Sequence, residues 1–383
     1  MLHLKIRVSD EKHTPRAINK IVKELNNVPK NTPFTVEFYP AGDLNRNKAQ
    51  ELLQNLPTHC VGIKLSSLTN SSWSYPAIEH IEAICSAIPP HIKILNARNI
   101  LPAETSFEHV KRFFTAIPKS ITHLNLQENH LGSVSFALSL LFPLLQGISL
   151  VDIRDNFKSV TEVYDLVHSL TTLPLTISSL YVDLKQHSQD IHNKFFINLP
   201  HHIQLLGLVA DDFYCHEELT ALSCLVPATV TTLKWLCGSK SPTETLITHT
   251  PDTVKVLDLT NCSMYSFRRS LTVPQNITTV ILNNNQLYLW PISQLIHFIE
   301  NLPPQVRTIS LIGNKIMEGR TEEENHLWTQ FKLQNTRAII LENKQMKGVP
   351  SMKRAPLYNM LHALFSQNKP HESVPVLSKR AAL

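Results

Sequence analysis

Residues 118–131 read PKSITHLNLQENHL. Leu124 and Leu126 stand two apart, so in an extended strand both side chains point to one face. Asn129 follows three residues later, where the backbone must leave the strand. An Asn there can hydrogen-bond backbone groups that would otherwise be buried and unpaired. An apolar run of helical spacing then leads to the next such strand. The short form L-x-L-x-x-N recurs, with variations, along most of the chain.

Counting from the residue six before the first strand leucine gives a ladder of anchors: Pro57, Pro89, Pro118, Leu145, Pro174, Pro200, Pro227, Pro251, Pro274, Pro303 and Lys332. The step averages about 27 residues, within the range of short solenoid repeats. Six and eight residues after each anchor an apolar pair returns, from Ile63/Leu65 through Leu124/Leu126 and Leu257/Leu259 to Ala338/Ile340. Eleven residues after the anchor stand Asn129, Asn156, Asn285, Asn314 and Asn343, with Cys262 as an alternative. Leu68, Lys185, Asp211 and Gly238 depart from this pattern, so less regular turns are expected there. Asn99 sits one place early.

Amphipathic segments fill the intervals. Ile78, Ile81, Ile84, Cys85 and Ile88 form one helical stripe, and so do Phe107, Val110, Phe113, Phe114 and Ile117. Ser106 is placed to cap the second. Further helices are predicted at about 47–56, 134–145, 161–173, 189–199, 215–226, 288–302 and 322–334. Most close at a Pro, which pushes its predecessor out of α geometry. The connectors 241–250 and 263–273 are too short or too β-branched for full helices. Leu2–Val8 and Thr35–Tyr39 read as two more strands flanking a helix at about 15–27, covering the open N-terminal edge as solenoid ends require. The expected division is a cap with irregular first repeats at 1–56, a solenoid at 57–343, and a basic tail at 344–383 with a short helix at Pro356–Phe365.

Together the L-x-L-x-x-N strand, the step length and the helix closing at Pro resemble the ribonuclease-inhibitor-like class of leucine-rich-repeat proteins. The style of ENLPPQVRTISLIGNKI and AIPKSITHLNLQENHL is similar to Legionella-type leucine-rich-repeat effector proteins. The resemblance implies an α/β solenoid, a horseshoe with a parallel sheet on the concave face and helices on the convex face. It also implies a protein-binding surface acting in a host cytosol. The ligase effectors of this kind carry a large catalytic domain after the repeats, for which a tail of about 40 residues has no room.

Composition bounds the rest. With 43% hydrophobic and 17% charged residues the chain is a folded one. Its six cysteines show no CxxC pair, which suits reduced, buried thiols. The start MLHLKIRVSDEKH lacks the apolar core of a cleavable signal peptide, and no run of 18 apolar residues occurs. The net charge of +5 belongs to the tail: from Lys344 onward seven Lys/Arg face one acid, Glu372, leaving the remainder at −1. A nucleic-acid-binding body would be basic.

If the paired apolar positions point inward, those five, seven and nine residues after each anchor line the concave face and meet solvent. They nominate Lys64, Arg98, His123, Asn125, Gln127, Asp152, Arg154, Tyr181, Asp183 and Lys234 as partner-binding, with Arg98, Arg154 and Tyr181 foremost. The competing reading is cross-strand neutralisation that only keeps the ladder soluble. Past Leu205 the face turns apolar, with Val209, Leu236, Ile281, Ile312 and Ile339 forming a strip expected to meet something, the tail segment Pro356–Phe365 being one candidate. None of the 19 histidines has metal-ligand spacing, and neither a G-x-S-x-G nor a phosphate cradle occurs, so no metal, no cofactor, no small-molecule substrate and no catalysis are expected. The resulting expectation is a non-enzymatic protein-interaction scaffold, secreted by a bacterium without a cleavable signal peptide and bound to a host protein. A peripheral membrane or nucleic-acid binder working through the tail, or a ubiquitin-ligase adaptor, is the alternative. The sequence leaves the oligomeric state open.

Overall fold

The computed structural model describes residues 2–9, 22–30, 32–41, 46–65, 78–184, 188–210, 225–237, 247–248, 250–264 and 272–341. The expected turns at Leu68, Lys185, Asp211, Gly238 and Asn343, most of the helix at 215–226, and the basic tail lie outside the described residues. So do most of the two short connectors. Of the helix expected at 15–27, residues 22–26 are described and helical.

The described residues fall into two compact units that meet in the sequence between His130 and Leu131. The first holds β1 (Leu2–Ser9), β2 (Phe34–Ala41), β3 (Cys60–Leu65), β4 (Ile94–Asn96) and β5 (His123–Asn125). Helices α1 (Arg46–Gln54), α2 (Ile78–Ala87) and α3 (Phe107–Ala116) connect the later strands. Neighbouring strands pair in parallel and in chain order. The two expected N-terminal strands are thus the first two strands of this sheet.

The second unit holds β6 (Leu150–Asp152), β7 (Ser179–Val182), β8 (Leu205–Ala210), β9 (Thr232–Cys237), β10 (Val256–Asp258), β11 (Thr279–Ile281), β12 (Thr308–Ser310) and β13 (Ala338–Ile340). These too are parallel and follow chain order. Its helices are α4 (Leu138–Leu141), α5 (Val160–Ser169), α6 (Gln189–Asn198), α7 (Ile292–Glu300) and α8 (Glu322–Gln334). The architecture is α/β, a solenoid of parallel strands backed by helices.

The anchors do more than end helices. Each except Lys332 opens a turn closed by the amide three residues on, among them Cys60 N–H to Pro57 O (2.8 Å), Ile121 to Pro118 (3.0 Å), Val254 to Pro251 (3.0 Å) and Val306 to Pro303 (2.9 Å). The residue before the Pro is extended, as at Ile117, Leu173 and Leu199. From this turn the strand starts in a fixed phase. The apolar pair six and eight residues after the anchor is accordingly buried in every rung from Ile63/Leu65 to Ile309/Leu311.

At the turn out of the strand the Asn side chains act as predicted. The Asn129 side-chain carbonyl accepts from Ile100 N–H (2.8 Å) and Leu101 N–H (2.9 Å), while its amide donates to Ala97 O (2.7 Å). Asn285 and Asn314 do the same for Cys262, Met264, Leu259, Leu287 and Leu282. Cys262 fills the position with a donor only, its thiol pointing at Trp235 O (3.3 Å). On either side of the Asn the backbone enters the left-handed region, at Glu128 and His130 and again at Asn284 and Gln286.

Three expectations need correcting. The helix at 134–145 is three pieces, a 3-10 turn at Leu131–Ala137, α4, and another 3-10 turn at Phe142–Leu145, because Pro143 has no N–H to continue the α ladder. The helix at 288–302 divides likewise at Pro291 into Leu287–Leu289 and α7. The last rung is displaced by one residue. Ile309 pairs with Ile339, not Ala338, and Leu311 N–H bonds Ile340 O. Lys332 lies inside α8 and opens no such turn, so the strand starts one residue later, and a slip of one residue exchanges the two faces. Ser106 does cap α3 through His109 N–H, and two capping boxes, Ser159/Glu162 and Thr321/Glu324, stand at the starts of α5 and α8.

Candidate protein-interaction face

The positions five, seven and nine residues after each anchor point to the sheet face away from the paired core residues. Exposure there is far lower than the polar sequence suggests. His123, Asn125, Gln127, Asp152, Arg154, Tyr181, Asp183 and Lys234 are buried, and only Lys64 and Arg98 keep partly open side chains, at 19% and 28%. In the apolar strip Val209, Leu236 and Ile312 are half-buried and Ile281 is buried, while the one-residue slip puts Ile339 in register with Ile309, on the opposite face from the strip. Solvent-facing was the wrong description of this face.

The physical reason is that its polar groups satisfy one another and the backbone. Asn96, Asn125, Asp152 and Asp258, each seven residues after its anchor, accept from the amide two residues on: Arg98 (3.1 Å), Gln127 (2.8 Å), Arg154 (3.2 Å) and Thr260 (2.9 Å). This Asx turn bends the backbone out of the strand, so these residues build the rung. The signal was visible in the sequence as Asx-x-Arg/Gln/Thr at the strand end.

In the first unit Lys64 pairs with Glu37 on β2 at 2.8 Å, and Arg98 pairs with Glu128. His123 bonds the Thr122 hydroxyl (2.7 Å), and burial pushes its imidazole down to about 4, so it is neutral at pH 7.

In the second unit the candidates converge on one charged cluster. Arg154 grips Asp152 with two bonds, 2.9 Å from Nε and 2.7 Å from Nη2. Lys234 lies 3.4 Å from Asp258 and 5.6 Å from the centre of the Tyr181 ring. The ring crosses β8 at Gly207, where a Cβ would come within 2.5 Å of it. Burial works against each charge. It lowers Lys234, with Asp258 opposing, and raises the Tyr181 hydroxyl well above its usual range. At Arg154 burial also pulls downward, but the charge and hydrogen bonds of Asp152, helped by Asp155 and Tyr181, outweigh it and hold the guanidinium charged. Arg154 thus faces Asp152 and Lys234 faces Asp258, a basic partner for each carboxylate. Sequence reading had named four of its five members and assigned them to a partner; the fifth, Asp258, completes the pairing.

Cys60, Cys85 and Cys262 are buried and form no disulfide, with the first two thiols pushed up to about 12 by burial. No group of metal-ligating side chains occurs among the described residues, and no described helix is long and apolar enough to cross a membrane.

No family model and no curated protein sequence matches the chain. Solved structures do. The leucine-rich repeat-containing protein LegL7 from Legionella pneumophila aligns over 86% of this chain and 98% of its own, with TM-score 0.57 and 18% identity. The chain has the leucine-rich-repeat fold. Weaker likenesses are to the yeast Rad7 and Elc1 complex (TM-score 0.37, 12% identity, 82% of this chain and 75% of that one) and the TLR13–ssRNA13 complex (TM-score 0.35, 12% identity, 73% and 34%). In leucine-rich-repeat terms the Asx-turn residues are framework, and Lys64 and Arg98 are the candidates that solvent still reaches.

Proposed function

We propose that the chain is a non-enzymatic scaffold that binds a protein partner on the sheet face turned away from its helices. The observation supporting this is the in-register parallel sheet, which repeats the same side-chain positions rung after rung and so presents an extended pre-organised surface. Binding then falls to side chains that remain reachable, Lys64 and Arg98 in the first unit and the half-buried Val209, Leu236 and Ile312 in the second. Asp152, Arg154, Tyr181, Asp183 and Lys234 support them, as do His123, Asn125 and Gln127. Likeness to a Legionella protein of the same fold supports the further proposal of a bacterial effector that works on a host protein in the host cytoplasm.

The test is capture from host-cell lysate by the full chain beside a Lys64→Glu/Arg98→Glu variant, both checked by circular dichroism. A protein held by the wild type and lost by the variant supports the reading. Equal capture by both removes the first unit's face from it.

A further inference from the structure

On the helix side of the second unit one stretch carries no charge. From Leu131 to Leu150 the sequence LGSVSFALSLLFPLLQGISL holds no Asp, Glu, Lys, Arg or His. It folds as the 3-10 turn Leu131–Ala137, α4 and the 3-10 turn Phe142–Leu145, and buries Leu138, Leu141, Phe142 and Leu145 in the core. Phe136, Leu140 and Leu144 point the other way and are 73%, 66% and 37% exposed. Spaced four apart, they form one ridge about 12 Å long. The other described helices of this unit turn a charged residue or a histidine outward, as with His168 on α5, Lys194 on α6, Glu300 on α7 and Glu322 on α8. Single exposed apolar residues are ordinary, whereas a continuous ridge of them marks a contact.

We propose that this ridge is the contact between two copies of the chain, paired antiparallel about a twofold axis at Leu140. The spacing fits. With Leu140 on the axis, Phe136 of each copy meets Leu144 of the other, so the most exposed side chain faces the least exposed one. Charge fits as well. A twofold contact sets a patch against itself, so a charged patch would repel its copy, and this one has nothing to repel. A lipid surface suits the ridge less, because an apolar patch that lies on an anionic membrane is flanked by Lys and Arg. Here acids border the segment: Asp165 on α5 accepts from the Ser135 hydroxyl at 2.6 Å, and Glu162 lies against Gly132. Antiparallel pairing keeps the two copies' Asp165 about a ridge length apart, where salt screens them. A standard interface spreads about 800 Å² over about 20–30 residues a side. The outward residues of this segment and α5 are about half as many, so the dimer is weak and dissociates at about 10–100 µM. Pairing on the helix side leaves the sheet face of each unit clear, and with the function proposed above one dimer carries two partner sites.

The experiment is sedimentation velocity of the full chain from about 1 to about 500 µM, wild type beside Phe136→Asp/Leu140→Asp. The wild type should pass from monomer to dimer within that range, and the variant's dissociation constant should rise about tenfold or more. A wild type that stays monomeric throughout overturns the proposal, and so does a variant that associates as tightly as the wild type. Association that continues past the dimer overturns the twofold pairing. Where the aspartate pair lowers the circular-dichroism signal, Phe136→Ser/Leu140→Ser replaces it, with a rise of about threefold as the threshold. Oxidation of a Leu140→Cys variant checks the axis: peptide mapping should find position 140 of one copy joined to position 140 of the other, and a link only to a native cysteine refutes that placement. Vesicles of phosphatidylcholine and phosphatidylserine test the other occupant. Co-sedimentation of a monomeric wild type, lost in the variant, overturns the dimer and assigns the ridge to a lipid surface.

Discussion

Replacing Asn285 with Ala would remove the side chain that closes one rung onto the rung before it. Asn285 is fully buried, and its side chain accepts from Cys262 N–H at 2.8 Å and Met264 N–H at 3.3 Å while donating to Leu259 O at 2.8 Å. The substitution strands at least one amide and one carbonyl away from water, each costing about 1–3 kcal/mol. The expected loss is therefore about 3–5 kcal/mol, concentrated in the turn at 260–264. Repeat proteins unfold in parts, so a single melting point would blur this effect. Native-state hydrogen exchange resolves it: 3 kcal/mol corresponds to roughly a hundredfold loss of protection, expected at the Cys262 amide. An Asn285→Asp variant keeps the acceptor and loses the donor to Leu259 O, and should fall between the two. A loss below about 1 kcal/mol, or one spread evenly over the chain, would refute the bridging role.

Gly207→Ala drives a Cβ into the Tyr181 ring and should cost about 1–3 kcal/mol in denaturant unfolding, with Tyr181→Leu in the same chain recovering part of it. His123 gives the chain an acid sensitivity. Its folded pKa, about 4, lies below the ordinary 6.5, so between these values the unfolded chain binds more protons and stability rises with pH. The contribution is complete above pH 6.5 and is lost as pH falls toward 4; a full loss is about 3 kcal/mol, and His123→Phe should flatten the slope of unfolding free energy over that window. Lys315 occupies the left-handed region at φ 49° on the surface, so Lys315→Gly should raise stability by up to about 1 kcal/mol despite losing the exposed Glu318 pair, a gain that calorimetry would detect.

Where hydrophobicity alone decides the outcome, the fold could be read from the chain. The columns six and eight residues after each anchor hold Leu, Ile and Val because they face the core, and burial follows them rung after rung. The Asn turn was equally legible, since few side chains can both accept and donate at a buried bend. Polarity misled on the other face. Asp152, Lys234 and Asp258 look like surface residues one at a time, and only the placement of β6, β9 and β10 shows that they pair in a buried cluster with Arg154. Ala338 misled for another reason: α8 runs on through Lys332, where the other anchors open a turn, and an Ala-Ile-Ile run is apolar in either phase.

The Asn bridges all run one way. Asn129 serves Ile100 and Leu101, Asn285 serves Cys262 and Met264, and Asn314 serves Asn285 and Leu287, so each bend is completed by a side chain made later. During synthesis a rung therefore leaves the ribosome with its bend still open, and the missing partner arrives only after the next repeat, some 21 to 29 residues on. At the bridged turns the growing chain would carry a single unfinished rung at its trailing end, and a stall there would expose one bend rather than the whole stack.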